Sequence, residues 1–469
     1  MKSVNSKNLK IIDIAYDGRA VAKEDGMVYF IEKAVPGDIV DIHVTKKKKN
    51  FIEGRVIEII EKSPFRITPN CQHFGFCGGC KWQHFDYSKQ LEYKQKQVID
   101  VFHHLGKMEN IQVLPILSAD PQFYYRNKLD FSFSDSRWLT PNELQDKSIS
   151  KKNAVGFHLP GMFDKVLDIE HCYLQSDPSN EIRLKLKDYC KENEIEFYNS
   201  RNHTGEIRSL ILRNNRENQF MINVVFALTQ PEKIEKAMQY LVESFGSHHA
   251  YFYTINTKKN DSIHDLEPIH YHGPSYLTEK IGEYTFQFGP KSFFQTNSKQ
   301  TELLYSVIKD FAKLEGHETV YDLYSGTGTI ALYLSRLAKT VLGIEFVEEA
   351  VKDAYINAEL NQVNNCTFIA GDMSKVFDQQ VILQYGKPEV IVCDPPRSGI
   401  QKEVINRLLE IQAPRIVYVS CNPATQARDI ELLSSLYHHV KSQPVDMFPQ
   451  THHVEIVALL ELKKLNEYV

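Results

Sequence analysis

TVYDLYSGTG, running from Thr319 to Gly328, reads as one short apolar strand that breaks into a glycine turn, and TIALYLSRLA continues from it at helical spacing. Glycine at 326 and 328 lets the backbone turn tightly and come close to a ligand. The same texture extends in both directions. NSKQTELLYSVIKDFAKL, ahead of it, has helical spacing. After it, TVLGIEF, CTFIAGD, PEVIVCDPPRSG and RIVYVSCNP read as strands with their loops. The helices EEAVKDAYINAELNQ and EVINRLLEI lie between them, and HVEIVALLELKK forms a last strand. This alternation predicts an α/β fold over residues 286–469: a doubly wound, Rossmann-like parallel sheet with ligands at the carboxyl ends of its strands.

The strand ends carry the chemistry. Asp322 closes the first strand, Glu345 the second, 19 residues after Gly326, and Asp372 the third. A carboxylate after the second strand accepts both hydroxyls of a ribose. Without a full G-x-G-x-x-G, the set suits S-adenosylmethionine better than a dinucleotide, although a dinucleotide or no cofactor stays open on these features alone. The next two strands end in Asp394-Pro395-Pro396-Arg397 and Ser420-Cys421-Asn422-Pro423. A cysteine in a strand-end loop beside the cofactor crevice is placed as a nucleophile is, so Cys421 is a candidate. Cys366 and Cys393 lie within strands and read as core. Glu455 starts the last strand and is able to face the same crevice; taken alone, it reads as a surface carboxylate.

Upstream, residues 1–62 show short apolar runs separated by Asp-Gly, Pro-Gly and charged turns, which predicts a small β-barrel of oligonucleotide-binding type. Lys46 to Lys49 form either a solvated hairpin tip or a phosphate-contact patch. The barrel is expected to be a unit separate from the sheet. Residues 63–285 form a central α+β domain that opens with CQHFGFCGGCKWQHF; a helix follows, in which Leu91, Val98, Phe102 and Leu105 recur at helical spacing. That helix, near 87–110, is a candidate to pack on the catalytic domain. Cys71, Cys77 and Cys80 place three thiols in one glycine-rich loop, and Cys172 lies 91 residues beyond Cys80 as a fourth. By spacing alone these fit zinc and an iron–sulfur cluster equally. Cys190 reads as an ordinary thiol, and Arg126 and Lys128 as weaker RNA contacts.

The chain has 469 residues, 42% hydrophobic and 25% charged, which excludes disorder, collagen and coiled coil and leaves room for about three domains. Net charge is −5, but residues 1–66 hold 13 Lys plus Arg against 10 Asp plus Glu, so affinity for phosphate must come from local patches. No apolar run approaches the ~18 residues of a spanning helix. The first residues contain no apolar stretch of signal-peptide length. The expectation is a cytoplasmic protein with no membrane association and no obligate protein partner.

These features together carry a resemblance. The barrel, the cysteine cluster, GGCKWQHFDYSKQLEYK, YYRNKLDFSF, SFFQTN, DLYSGTGTI, DPPRSG, SCNPATQARD and DMFPQTHHVE resemble the RNA uracil-C5 methyltransferase family. The likeness is strongest to its ribosomal-RNA branch, which has an N-terminal TRAM domain and an iron–sulfur cluster. It implies that Gln295, Tyr324, Glu345, Asp372 and Asp394 bind S-adenosylmethionine, with Cys421 as nucleophile and Glu455 as base. It further implies a [4Fe–4S] cluster on Cys71, Cys77, Cys80 and Cys172, and RNA, specifically 23S ribosomal RNA, as partner and substrate. At Thr329 the sequence departs from the Asn that relatives often carry as a further cofactor contact.

The chemistry explains why such residues are needed. Uracil C5 is a poor nucleophile until a thiolate adds to C6, and a base must then remove the C5 proton before the thiolate leaves. Three rivals are an RNA cytosine-C5 methyltransferase, an exocyclic-nitrogen methyltransferase, and a non-catalytic ribosome-assembly factor. The first resembles a two-cysteine pattern with one thiol after the Pro of the Asp-containing loop, whereas here Cys393 precedes Asp394. The second needs neither Cys421 nor Glu455.

Overall fold

The computed structural model describes residues 5–109, 111–227 and 230–464. The strands between Asn5 and Glu61 close into a five-stranded barrel. Leu9, Ile11, Ala22, Ile31, Val40 and Ile42 fill it, at alternate positions along their strands. Lys46 to Lys49 are exposed at the hairpin joining its last two strands, and the Lys46 ammonium lies 3.6 Å from Glu53.

The C-terminal sheet, expected to be the catalytic one, has seven strands: β1 (Thr319–Leu323), β2 (Thr340–Glu345), β3 (Cys366–Ala370), β4 (Val390–Cys393), β5 (Arg415–Ser420), β6 (Tyr437–Val445) and β7 (Glu455–Leu462). Their order is β3-β2-β1-β4-β5-β7-β6. The first five are parallel, and β7 runs antiparallel to both β5 and β6. Apolar residues alternate between two cores. Val320, Val341, Val390, Val417 and Leu459 face the helices Ser298–Ala312, Thr329–Ser335 and Glu348–Leu360. Leu323, Ile344, Ile391, Tyr418 and Ile456 face the other side, against helices Lys402–Ile411 and Pro423–Leu433.

A third helix on that second side comes from far upstream. Helix Tyr87–His104, capped by the Asp86 side chain on the Ser88 and Lys89 N–H groups, buries Val98 and Phe102 in the second core. Its buried Lys94 pairs with Asp446 at 2.6 Å and also donates to the Phe448 carbonyl, while Gln90 and Gln450 exchange two hydrogen bonds. A buried ion pair adds little net stability, but it admits one geometry, and here it fixes the loop leading into β7.

The central domain is an eight-stranded mixed sheet between Lys128 and His272, covered by helices Ser179–Glu192 and Pro231–Phe245. The hairpin Leu277–Phe288 straddles the expected boundary at 285/286, and Leu277, Ile281, Phe286 and Phe288 pack in the first core of the catalytic sheet. The barrel, expected as a separate unit, is docked. Its turn Ala15–Gly18 is held by the Trp82 indole N–H on Gly18 O, Lys81 on Asp17 O and Gln97 on Ala15 O. A Cβ at Gly18, whose φ is +83°, would lie 2.8 Å from His452. Local turn signals announce the barrel, but nothing local announces what it rests on.

Candidate active site

Tyr324, immediately beyond β1, has φ +66°, a left-handed conformation that costs a non-glycine residue on the order of 1 kcal/mol. The turn then passes through Gly326 and Gly328. At Gly328 (φ +77°) an added Cβ would lie 2.9 Å from both Ala354 and the Phe368 ring, so the close approach of loop and sheet requires glycine. Over Gly326 there is open space. The Gly326 N–H donates to Glu345 Oε2 at 2.9 Å, and the Val347 N–H to Oε1, so the loop and the end of β2 hold one another. Asp372, just past β3, accepts from the Ser374 N–H and hydroxyl, which keep its carboxyl below the usual range. Asp394, just past β4, is pushed up to about 7 by burial.

Gln295 lies in the loop before helix Ser298–Ala312, and its carbonyl accepts from Asn127 Nδ2 at 2.9 Å. The Tyr324 hydroxyl and Thr296 Oγ1 are buried without a hydrogen-bond partner. The unpaired Tyr324 hydroxyl in an open glycine turn, with carboxylates at successive strand ends, fits S-adenosylmethionine. Two neighbouring polar residues are engaged within the protein. Asp322 lies one position inside β1, fully buried, and accepts from the Ala331 N–H, so it caps helix Thr329–Ser335 from below rather than opening to the crevice. The Thr329 hydroxyl is hydrogen-bonded to Tyr305 at 2.6 Å.

Cys421 occupies the single-residue link between β5 and the Asn422 cap of helix Pro423–Leu433. Asn422 accepts from the Ala424 N–H, and Pro423 takes the first helical position, where its missing N–H costs nothing. Ser420 pairs with Ile456 across β5 and β7, and the next step out sets Cys421 beside Glu455. Gln426 locks that rung by donating to the carbonyls of Tyr418 and Ile456. Burial pushes the Cys421 thiol up to about 11, helped by Glu455 and opposed by the positive charge of Arg397. Glu455 is 6% exposed and held well above the carboxylate range by burial and by Asp394.

The family model described as tRNA (Uracil-5-)-methyltransferase matches residues 275–463, and the TRAM domain model matches residues 6–57. A protein of Bacteroides thetaiotaomicron described as an uncharacterized RNA methyltransferase is 47% identical, over 96% of this chain and all of its own. One of Porphyromonas gingivalis with the same description is 46% identical, over 96% and 99%. The chain belongs to the RNA uracil-C5 methyltransferase family. The Pyrococcus abyssi tRNA (uracil-54, C5)-methyltransferase, solved with S-adenosyl-L-homocysteine, is similar over 97% of this chain and 99% of its own, with TM-score 0.74 and 27% identity. This family member is thus an S-adenosylmethionine-dependent RNA methyltransferase built on a barrel, a central sheet and a Rossmann-like sheet.

In this methyltransferase Cys71, Cys77, Cys80 and Cys172 line one small cavity with Phe74, Phe157 and Leu174. All four are free thiols, and the Gly79 N–H points at Cys77 Sγ, 3.4 Å away. Burial pushes Cys77 and Cys80 up to about 12, with a smaller rise from the neighbouring thiols, so four thiolates are stable here only around a cation. Four thiols converging on one cavity are a donor set that fits an iron–sulfur cluster or a zinc ion.

Cys190 is buried in helix Ser179–Glu192, Cys393 is buried in β4 and Cys366 is partly buried in β3. Arg126 stacks over the Phe448 ring, and Lys128 is exposed. Residue-by-residue reading missed two positions. Arg397 stands in DPPRSG, where a cation one loop away from a thiol is a usable signal. Asn127 lies in YYRNK, 168 residues from Gln295, and no local pattern connects them.

Proposed function

We propose that this methyltransferase methylates C5 of a uridine in 23S ribosomal RNA through a covalent Cys421–C6 adduct that Glu455 resolves. The observation that carries the reading is the Ser420–Ile456 rung, which brings a thiol and a buried carboxyl to one point at the strand ends. S-adenosylmethionine supplies the methyl group when bound, held by Gln295, Tyr324, Glu345, Asp372 and Asp394. The Cys421 thiolate adds to C6, and the resulting enolate over C5 and O4 makes C5 nucleophilic toward the methyl group. Glu455, once ionised, takes the remaining C5 proton, and elimination returns the Cys421 thiolate. A carboxyl raised by burial is a stronger base than one in water, which suits it to a carbon acid.

The target uridine must leave its stack, at a cost of a few kcal/mol that RNA contacts elsewhere offset. In this reading residues 1–62 and 63–285 grip the RNA while 286–469 carry out the chemistry. Cys71, Cys77, Cys80 and Cys172 hold a [4Fe–4S] cluster that, with four cysteine ligands, leaves no iron open and ties the loop to the central sheet. The cysteine set and motifs shared with the ribosomal-RNA branch support the 23S substrate, and so a cytoplasmic place of work; the Pyrococcus abyssi neighbour favours tRNA as the second reading.

The test is to incubate the protein and methyl-labelled cofactor with ribosomal RNA and tRNA from a strain lacking it, then digest to nucleosides. Labelled 5-methyluridine from 23S RNA is expected. Label in tRNA alone removes the substrate assignment and leaves the chemistry standing. Label on cytosine or an exocyclic nitrogen removes the chemistry.

A further inference from the structure

Tyr16 belongs to the barrel by sequence and to the catalytic mouth by position. It lies in the turn Ala15-Tyr16-Asp17-Gly18, closed by Ala15 N–H on Arg19 O at 2.7 Å and Gly18 N–H on Ala15 O at 2.8 Å. Asp17 holds the Arg19 guanidinium at 2.6 Å. The turn is thus rigid in itself, and the contacts from Lys81, Trp82 and Gln97 fix it from outside. From this platform the Tyr16 hydroxyl donates to Asn422 Oδ1 at 2.5 Å, across 406 positions of sequence.

Asn422 follows the nucleophile directly, and its amide has no idle atom. Oδ1 accepts from Ala424 N–H and from Tyr16, while Nδ2 donates to the Arg397 carbonyl at 3.0 Å. The Asn422 N–H is held by Ser420 Oγ. The Arg397 guanidinium charge in turn acts on the Cys421 thiol and lowers its pKa. The chain Tyr16–Asn422–Arg397 thus ties the residue after the nucleophile to the barrel turn on one side and to the DPPRSG loop on the other. Tyr16 remains 46% exposed.

We propose that Tyr16 is a positioning residue for the nucleophile, through which the docked barrel orients Asn422 and the Cys421 loop for attack. The inference rests on the adduct mechanism above. Its consequence is that the barrel completes the catalytic site instead of only tethering RNA. Removing the hydroxyl while keeping the ring should leave RNA and cofactor binding intact and slow the step in which Cys421 bonds to C6.

The experiment uses the full-length protein and RNA containing 5-fluorouridine, which cannot lose its C5 substituent as a proton and so traps the adduct. In the wild type a denaturation-resistant complex at Cys421 is expected; its absence removes the adduct mechanism itself and is read before any variant. Tyr16→Phe is expected to melt like the wild type, to keep RNA and S-adenosylhomocysteine affinities, and to form the adduct about two- to tenfold more slowly, the loss of one hydrogen bond. Asn422→Ser keeps a helix cap and loses the amide. In that background Tyr16→Phe should produce no further slowing. A wild-type rate for Tyr16→Phe, a loss confined to RNA affinity, or full additivity with Asn422→Ser would each overturn the proposal.

Discussion

Asn127, just ahead of the central-sheet strand that begins at Lys128, donates from Nδ2 to the carbonyl of Gln295 at 2.9 Å and to Ser298 Oγ at 3.0 Å, so the central domain sets the loop that carries a proposed cofactor contact. The Asn127 N–H adds a third bond, to Thr296 O. Asn127→Ala removes both side-chain bonds at a buried position, a loss of about 1–3 kcal/mol. The expected outcome is S-adenosylhomocysteine binding weakened by roughly tenfold or more in calorimetry, with RNA affinity held. Unchanged cofactor affinity would show that Gln295 keeps its place without Asn127.

The two proposed catalytic groups separate by the step at which each variant stalls. Cys421→Ala is expected to form neither adduct nor product. Glu455→Gln is expected to add and transfer methyl, then release slowly, because the C5 proton has no acceptor. Methyl-labelled cofactor and ordinary RNA should leave labelled RNA on Glu455→Gln in a denaturing gel, and the double variant should lose it. Normal turnover by Glu455→Gln, or activity in Cys421→Ala, removes these roles.

The Cys421 thiol is pushed up to about 11 by burial first and then by Glu455, while Arg397 pulls it down. Below that value the thiolate fraction rises about tenfold per pH unit. Single-turnover adduct formation should therefore accelerate with pH across about 6.5–9. Arg397→Ala removes the lowering influence, raises the thiol further and moves the profile to higher pH; Arg397→Lys, which keeps the charge, should fall between. A profile flat over that range in the wild type would place the rate limit elsewhere.

Anaerobically purified protein is expected to be brown, with broad absorption near roughly 400 nm and stoichiometric iron and sulfide. Cys172→Ser should lose colour and iron together. Stoichiometric zinc in a colourless protein would replace the cluster assignment with a zinc site.

By itself the sequence determined the Rossmann-like sheet, the barrel and the identity of the strand-end residues. Each rests on a local signal: apolar runs of one strand length, turn glycines such as Gly328, and motifs such as DPPRSG and SCNP in which reactive side chains sit next to their own strand. Backbone direction then carries those residues to a common edge, because parallel strands end on one side. Tertiary structure alone decided what holds them there. Asp322 turned inward because a helix N-terminus lies above it, Thr329 found Tyr305, and the Lys94–Asp446 pair fixed the loop into β7. Tyr16 reached Asn422 because a rigid barrel turn docks on His452 and Trp82. Such contacts join residues from 9 to 406 positions apart. They obey no periodicity, and they exist only once the hydrophobic cores have packed and brought polar groups within bonding distance.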